Sequence, residues 1–214
     1  MKTLKLGTRG SALALKQAEM TEAALGKAFP ELEVERVIIK TTGDRRTDVA
    51  LNEVAKAEGI WDKGVFIKEL EVALEAGEID VAVHSLKDLP TVLEDPFQLR
   101  SVLERAPVAD AWIGKIPWSE VEKGSRVGTS SVRRERQVKF LKPGAKVVDL
   151  RGNVPTRIKK AALDADYDGI ILAEAGLTRL GYPTEGMFEI ERHPLFVECL
   201  AGKNFFPAAG QGAV

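Results

Sequence analysis

The sequence has few of the residues that build disulfide-linked or metal-linked structure. Its 214 residues include one cysteine, Cys199, and two histidines. A single cysteine excludes a disulfide within the chain and is typical of proteins in a reducing compartment. So few Cys and His residues also argue against a Cys/His metal site. We therefore expect neither a disulfide nor a metal ion.

Long apolar segments are lacking as well. No run approaches the roughly 18 apolar residues of a membrane-spanning helix, and the N-terminus begins directly with a strand pattern rather than the apolar core of a secretory signal. The formal net charge is −1, so no overall field directs the protein to nucleic acid or to a membrane. We expect a cytoplasmic protein that binds neither.

Two nucleotide-binding motifs are also missing. The sequence contains no G-x-x-x-x-G-K-[ST] and no G-x-G-x-x-G, which argues against P-loop chemistry and a dinucleotide fingerprint. What the sequence does contain is an alternation of strand and helix patterns, which predicts an α/β fold with a largely parallel sheet in each of two lobes. Strands are predicted over 3–8, 34–40, 81–83, 99–103, 146–150 and 169–173, and helices over 12–25, 64–74, 132–141, 154–163 and a short segment ending at 180. Residues 41–63 are predicted to form a loop over a cleft.

The stretch Asp80–Pro90 joins a short apolar strand to a polar turn. Ligands in open α/β sheets bind at the carboxyl ends of strands, and here that end carries His84, Ser85, Lys87 and Asp88. A carboxylate next to an ammonium group predicts charge chemistry at this turn. The alternative interpretation is a solvated polar loop without a function.

Three turns resemble anion sites, because hydroxyl groups and arginines stand where a helix begins. They are Thr8–Ser11, Thr129–Arg134 and Arg151–Arg157. The window 129–160 holds ten Lys/Arg against Glu135 and Asp149, a balance of +8 that leaves −9 for the remaining residues. Arginine in the first turn of a helix opposes the helix dipole, so a bound anion would relieve the conflict. A basic, solvated helix face is the alternative.

Six blocks together closely resemble hydroxymethylbilane synthases, the porphobilinogen deaminase family, and they run in the family's order. The blocks are Thr8–Ser11 (TRGS), Lys63–Glu71 (KGVFIKELE), Val83–Pro90 (VHSLKDLP), Gly128–Arg134 (GTSSVRR), Leu150–Val154 (LRGNV) and Pro207–Val214 (PAAGQGAV). The resemblance implies a cytoplasmic transferase of tetrapyrrole (haem) biosynthesis. Such an enzyme joins four porphobilinogen molecules into linear hydroxymethylbilane with release of ammonia, on a covalent dipyrromethane primer.

The resemblance also implies an architecture. It predicts two periplasmic-binding-protein-like (type II) α/β lobes with mixed sheets flanked by helices, and an active site in the cleft between the lobes. Residues 1–98 with 200–214 are expected in lobe 1 and residues 99–199 in lobe 2. We expect a monomer.

Site residues follow from the matching motifs. The resemblance makes Asp88 the catalytic carboxylate, which stabilises positive charge that develops on the pyrrole. Contacts to the acetate and propionate groups of substrate and primer are expected from Arg9, Ser11, Lys63, Lys68, Ser85, Lys87, Thr129, Ser130, Arg133, Arg134, Arg151, Gly152, Arg157 and Gln211. No residue is expected to hold a metal.

The main departure of the sequence from the family concerns the cysteine that holds the primer. The family attaches its primer to a cysteine in a third domain that follows the Gly-Gln-Gly-Ala-Val motif, whereas Cys199 precedes that motif and lacks the attachment context. We interpret Cys199 as a structural thiol, and we expect catalysis to need a missing third domain or a partner chain. Two alternatives remain. One is a non-catalytic module that binds pyrrole polycarboxylates, and the other is a solute receptor with the same lobes.

Overall fold

The computed structural model describes residues 3–42 and 66–214. The chain forms two compact units, unit 1 (Met1–Arg105 with Ala213–Val214) and unit 2 (Ala106–Gly212). This division differs from the predicted lobes in residues 99–105 and 200–212. Leu200 and Phe205 stay with unit 2 because both are buried in its core beside Trp112. Residues 99–105 stay with unit 1, where the Leu103 N–H donates to the Val214 carbonyl at 2.9 Å.

Unit 1 contains a parallel three-stranded sheet among its described residues. Its elements are β1 (Thr3–Arg9), α1 (Ala12–Ala28), β2 (Glu33–Ile39), α2 (Lys68–Glu75), β3 (Val81–Ala82) and a 3₁₀ turn at Leu86–Asp88. The strand order is β2-β1-β3, and β1 pairs in parallel with both neighbours. The carboxyl ends of β1 and β3 therefore lie at the same edge of the sheet.

Helix α1 covers this sheet because its apolar residues recur at helical spacing. Ser11 caps the helix, its Oγ accepting the Ala14 N–H at 3.3 Å, and Ala14, Gln17 and Ala18 form its buried face. Ala18 packs with Leu6 of β1 and with Val83, and Val214 packs at the edge of the same cluster. This small core holds the ends of β1 and β3 in place.

Unit 2 is larger and has a mixed sheet of six strands in the order β6-β5-β7-β4-β9-β8. Strands β5, β6 and β7 run parallel, whereas β4 is antiparallel to β7 and β9, and β8 is antiparallel to β9. Its strands are β4 (Asp110–Gly114), β5 (Arg126–Gly128), β6 (Lys146–Val148), β7 (Gly169–Ala173), β8 (Gly186–Ile190) and β9 (His193–Cys199). Its helices are α3 (Val132–Leu141), α4 (Val154–Leu163) and α5 (Glu174–Leu180), with a 3₁₀ turn at Trp118–Glu120.

Apolar layers cover both faces of the unit 2 sheet, because successive strand residues point in opposite directions. In β7, Ile170 and Leu172 belong to one buried cluster and Ile171 to the other. Strand β4 shows the same alternation, with Trp112 in the second cluster. Continuous apolar runs of this kind are typical of central strands buried on both faces.

The α/β prediction is confirmed by these sheets. Helices α3 and α4 and strand β7 coincide with the predicted 132–141, 154–163 and 169–173. The strand predicted over 99–103 is wrong, because that segment has no strand pairing in the structure. Strands β4, β5, β8 and β9 were not predicted. The predicted loop over 41–63, apart from residues 41 and 42, and the start of the helix predicted from 64 lie outside the described residues.

Within residues 3–42 and 66–214, no helix combines the length and the apolar character needed to cross a membrane.

Candidate functional site

The turn after β1 holds Arg9 and Ser11 at the start of α1. The Arg9 guanidinium lies over the Phe66 ring, with Cζ 4.1 Å from the ring centroid. Stacking on an aromatic face restricts the orientation of the arginine while leaving its charge in place. Ser11 is committed to its capping bond with the Ala14 N–H. The predicted turn is therefore formed, and its hydroxyl serves the helix end.

The turn after β3 carries Ser85, Lys87 and the predicted catalytic Asp88. It is held by backbone bonds from two other segments of unit 1. The Val83 N–H donates to the Gly7 carbonyl at 2.9 Å, and the Leu86 N–H donates to the Ala213 carbonyl at 3.1 Å. Within the turn the Asp88 N–H donates to the Ser85 carbonyl at 2.9 Å. These bonds give the turn a defined conformation and leave Lys87 and Asp88 half-buried.

His84 lies near the charges of Asp88 and Arg9. Burial lowers the pKa of the His84 imidazole to about 4, although the nearby Asp88 carboxylate opposes this shift and the Arg9 charge adds to it. The imidazole is therefore uncharged at neutral pH. The imidazole therefore adds no positive charge that would offset the negative electrostatic field of the Asp88 carboxylate.

The three predicted lysines of unit 1 differ in position. Lys87 belongs to the 3₁₀ turn that also carries Asp88. Lys68 is the exposed first residue of α2. Lys63 lies outside the described residues.

In unit 2, Arg134 lies in a buried ion pair with Asp110 at the start of β4. Its Nη2 and Nε are 2.7 and 3.0 Å from Asp110 Oδ1, and its Nη1 donates to the Ile171 carbonyl at 2.9 Å. Arg134 is 6% exposed and Asp110 is 1% exposed. The guanidinium therefore connects α3, β4 and β7, a structural role that the motif did not predict.

Arg133 shares the same carboxylate but reaches further toward the surface. Its Nη1 is 2.7 Å from Asp110 Oδ2, it also donates to the Phe206 carbonyl, and its side chain is 26% exposed. Burial alone would raise the pKa of Asp110, but the charges and hydrogen bonds of Arg134 and Arg133 outweigh it and hold the pKa below its usual range. The conflict between these arginines and the α3 dipole is therefore relieved by a carboxylate of the protein itself.

Gln211, a predicted binding residue, is 1% exposed. It connects the last residues of unit 2 to the start of β4. Its Nε2 donates to the Val108 carbonyl at 2.7 Å and to Asp110 Oδ1 at 3.1 Å. The adjacent Gly212 has a φ of 88°, and an added Cβ would lie 2.3 Å from the Ala106 carbonyl oxygen. The Gly-Gln-Gly sequence is thus explained by packing within the protein.

Thr129 and Ser130 hold the turn after β5 to the turn after β6. The Ser130 hydroxyl donates to the Leu150 carbonyl at 2.6 Å and accepts the Leu150 N–H at 3.2 Å. Thr129 is buried, and its Oγ1 accepts the Ser131 N–H at 3.2 Å. The structure thus brings the two predicted anion turns of unit 2 side by side, with both hydroxyls engaged in backbone contacts.

The turn after β6 carries Arg151, Gly152 and Arg157. Gly152 has a φ of 114°, where an added Cβ would meet Thr156 Cγ2 at 2.8 Å, so glycine is required here. Asn153 caps α4 by accepting the Thr156 N–H at 2.9 Å, and Arg157 Nε donates to the Gly152 carbonyl at 2.6 Å. Arg151 and Arg157 are both half-buried. Arg151 precedes this glycine in the chain, and Arg157 lies in the first turn of α4.

Cys199 is packed rather than presented to a ligand. Its Sγ is 3.6 Å from Glu174 Oε2 and accepts the Ala201 N–H at 3.4 Å. Burial, together with the charge of Glu174, raises the pKa of the thiol above its usual value. Because the thiolate is the reactive form, this environment does not suit covalent attachment of a primer. The arginine-bearing turns, in contrast, have the donor chemistry for a primer's carboxylates.

Sequence reasoning missed two residues that organise these turns, Gln17 and Asp110. Gln17 is 3% exposed on α1, and its Nε2 donates to Ser85 Oγ at 2.7 Å. A glutamine on an otherwise apolar helix face was a signal that could have found it. Asp110 follows a proline-interrupted segment in which no strand was predicted.

Among residues 3–42 and 66–214 no group of three or more His, Cys, Asp or Glu could hold a metal ion.

The fold and the turns define an α/β protein of two units whose strand ends carry cationic and hydroxyl groups. Residues 4–214 match the family model described as porphobilinogen deaminase, dipyrromethane cofactor binding domain. Two curated relatives, both named porphobilinogen deaminase, come from Syntrophomonas wolfei and Xanthomonas oryzae pv. oryzae. Each is 43% identical over 216 residues that cover all of this chain, and 65% and 66% of the relatives respectively. The chain belongs to the porphobilinogen deaminase family.

The chain spans 62–65% of the length of the first curated relatives that it matches. Among solved structures, the effector-binding domain of BenM with benzoate has a TM-score of 0.47 at 12% identity, over 96% of this chain and 80% of that one. The methionine-binding protein MetQ has a TM-score of 0.42 at 14% identity, over 95% and 85%. Because such scores are too low to establish a shared fold, the fold assignment rests on the sheet orders.

Proposed function

We propose that this chain binds porphobilinogen and a dipyrromethane primer as part of a porphobilinogen deaminase. The reaction joins four porphobilinogen molecules head to tail into hydroxymethylbilane with release of ammonia, a step of tetrapyrrole biosynthesis. The observation that carries the proposal is the position of Asp88. It follows β3 at the same sheet edge as Arg9, inside a family match that covers nearly the whole chain.

Each porphobilinogen carries an acetate and a propionate, so a growing chain accumulates carboxylates. Arginine is the residue suited to bidentate carboxylate contacts, and lysine supplies point charges. We propose Arg9, Ser85 and Lys87 for this role in unit 1, with Ser11, Lys63 and Lys68 as further contacts. In unit 2 we propose Arg133, Arg151 and Arg157, with Thr129, Ser130, Gly152 and Gln211 shaping the turns. Arg134 acts through its ion pair with Asp110.

Asp88 supplies the catalytic carboxylate. When a porphobilinogen loses ammonia, the pyrrole becomes an azafulvenium-type cation, and a fixed carboxylate near the pyrrole N–H stabilises the charge as it develops. The same carboxylate accepts and returns a proton during bond formation. The uncharged His84 supports this role, because an imidazolium beside Asp88 would cancel part of the field that the cation needs.

A dipyrromethane primer supplies the pyrrole end to which the first substrate is joined. The arginine-bearing turns fit its carboxylates, whereas the half-buried Cys199, which contacts Glu174, does not fit a thioether bond. We propose that attachment is provided by a further segment or a partner chain, and that this chain is itself monomeric. An intact mass spectrum of the denatured chain tests the attachment. A mass increase of two pyrrole units would place the primer on Cys199 and contradict the proposal.

Asp88→Asn tests the catalytic role. We expect ammonia release from porphobilinogen to fall by about 10²–10³-fold, while binding of porphobilinogen in calorimetry stays within a few-fold of the wild type. Glu78→Gln, which removes a negative charge from an exposed site of the same unit, is the control and should leave both unchanged. A wild-type chain that binds porphobilinogen and, even with primer supplied, releases no ammonia would instead identify a binding module.

A further inference from the structure

Gln17 is a buried polar side chain in an apolar environment. It lies on the face of α1 between Ala14 and Ala18, and Ala18 packs against Leu6 and Val83. Burying an amide costs free energy unless a hydrogen bond compensates for it. An apolar side chain at this position would serve packing alone at least as well. The glutamine therefore indicates a requirement for its hydrogen bond.

That hydrogen bond connects α1 to the turn after β3. Gln17 Nε2 is 2.7 Å from Ser85 Oγ, and within residues 3–42 and 66–214 Ser85 is the one hydrogen-bond partner of this amide group. A serine hydroxyl has one hydrogen to donate and two lone pairs to accept with. Because the oxygen accepts from Gln17, the hydroxyl hydrogen points elsewhere. No acceptor for it exists among the described residues.

Ser85 is the residue from which the turn toward Asp88 begins. Its carbonyl accepts the Asp88 N–H at 2.9 Å, so the backbone that orients Ser85 also orients Asp88. A free hydroxyl hydrogen beside a charged turn needs an acceptor, and a carboxylate accepts such hydrogen bonds strongly.

We propose that Gln17 is a positioning residue, which directs the Ser85 hydroxyl hydrogen toward a carboxylate of the bound pyrrole. This inference rests on the proposed function, since it identifies the ligand group that Ser85 contacts. Gln17 itself does not touch the ligand. It acts through Ser85. Its amide N–H bonds to the Ser85 oxygen and so restricts the rotation of the Ser85 hydroxyl.

A double-mutant cycle tests this dependence. We expect Gln17→Leu and Ser85→Ala each to weaken porphobilinogen binding by about tenfold, as measured by calorimetry. The double variant should also bind about tenfold more weakly than the wild type, because Gln17 has no effect once the hydroxyl is gone. A purely structural glutamine would give losses that multiply to about a hundredfold, which would overturn the proposal, as would a Gln17→Leu variant with wild-type affinity.

Thr21→Val is the matched control on the same helix. Its hydroxyl donates to the Gln17 backbone carbonyl at 2.9 Å and does not contact Ser85, so affinity should not change. If Gln17→Leu does not fold, Gln17→Met keeps the side-chain length and completes the same cycle. A wild-type chain that does not bind porphobilinogen overturns the proposed function. Wild-type binding with no coupling between Gln17 and Ser85 overturns only the positioning role.

Discussion

Units 1 and 2 build the same strand arrangement but use different chemistry in the turn after the first strand. In both, three parallel strands are ordered second-first-third along the chain, as β2-β1-β3 and β6-β5-β7. In both, a serine caps the helix that follows the central strand. Ser11 accepts the Ala14 N–H at 3.3 Å, and Ser131 accepts the Arg134 N–H at 3.4 Å.

The difference lies in the described contacts of the basic residues near each turn. In unit 2 a buried carboxylate, Asp110, pairs with both Arg133 and Arg134. In unit 1 Arg9 stacks on the Phe66 ring, and the nearby His84 is uncharged at neutral pH because burial lowers its pKa to about 4. Unit 2 therefore has a buried ion pair in its interior, whereas in unit 1 an uncharged imidazole lies near Asp88. Basic motifs of similar appearance thus serve different purposes.

The largest expected effect comes from removing the unit 2 carboxylate. Asp110→Asn removes the carboxylate charge that both Arg133 and the buried Arg134 contact. We expect a loss of about 3–5 kcal/mol in the free energy of unfolding of unit 2, measured by denaturant titration with Trp112 and Trp118 fluorescence. A loss below about 1 kcal/mol would contradict the difference drawn between the units.

An exposed ion pair of the same unit provides the control. Lys159 Nζ and Glu191 Oε1 are 2.6 Å apart, but the side chains are 60% and 57% exposed. Surface pairs contribute little, so Glu191→Gln should change stability by less than about 1 kcal/mol.

Acid should affect unit 1 before unit 2. Between pH 6.5 and about 4 an unfolded chain protonates His84 while the folded chain does not. Stability therefore falls as pH falls through this window, by up to about 3 kcal/mol. The folded-state pKa of Asp110 is instead lowered, so its contribution is lost only at more acidic pH.

Thermal unfolding from pH 7 to pH 4 measures this difference. His84→Gln should flatten the decline in stability over the window. His193→Gln, which replaces the exposed histidine at the start of β9, is the matched control and should retain the decline. Equal declines for the wild type and His84→Gln would remove His84 as the cause.

The parts of the fold that were predictable are those with a local signal. Helix α4 begins where Asn153 and Pro155 give a cap and a first-turn proline, and β7 is an uninterrupted apolar run. Strand β4 has no such signal, because Pro107 and Pro117 flank it and its pairing partners β7 and β9 are distant in sequence. The predicted strand at 99–103 contains three apolar residues but has no partner strand.

The same limit applies to the site. The motifs place Arg9, Ser85, Asp88 and Arg151 in turns at strand ends, as expected from sequence. Which arginine is paired internally depends on contacts between distant residues, and Asp110 precedes Arg134 by 24 positions. Motif membership alone therefore cannot separate a residue that contacts a ligand from one that supports the turn.

The smallest expected effect is a difference in ligand binding between variants of the two capping serines, Ser11 and Ser131. Ser11→Ala and Ser131→Ala each remove one capping bond of similar length, so each should cost about 1 kcal/mol of stability. The two units differ in the role proposed for the capping serine, since Ser11 is proposed to contact a ligand carboxylate beside Arg9, whereas Ser131 is not proposed to contact the ligand. Calorimetry with porphobilinogen should therefore show weaker binding for Ser11→Ala and unchanged binding for Ser131→Ala. Equal affinities in both variants would mean that Ser11 serves the helix alone, and that the turn after β1 binds carboxylates through Arg9 without its hydroxyl.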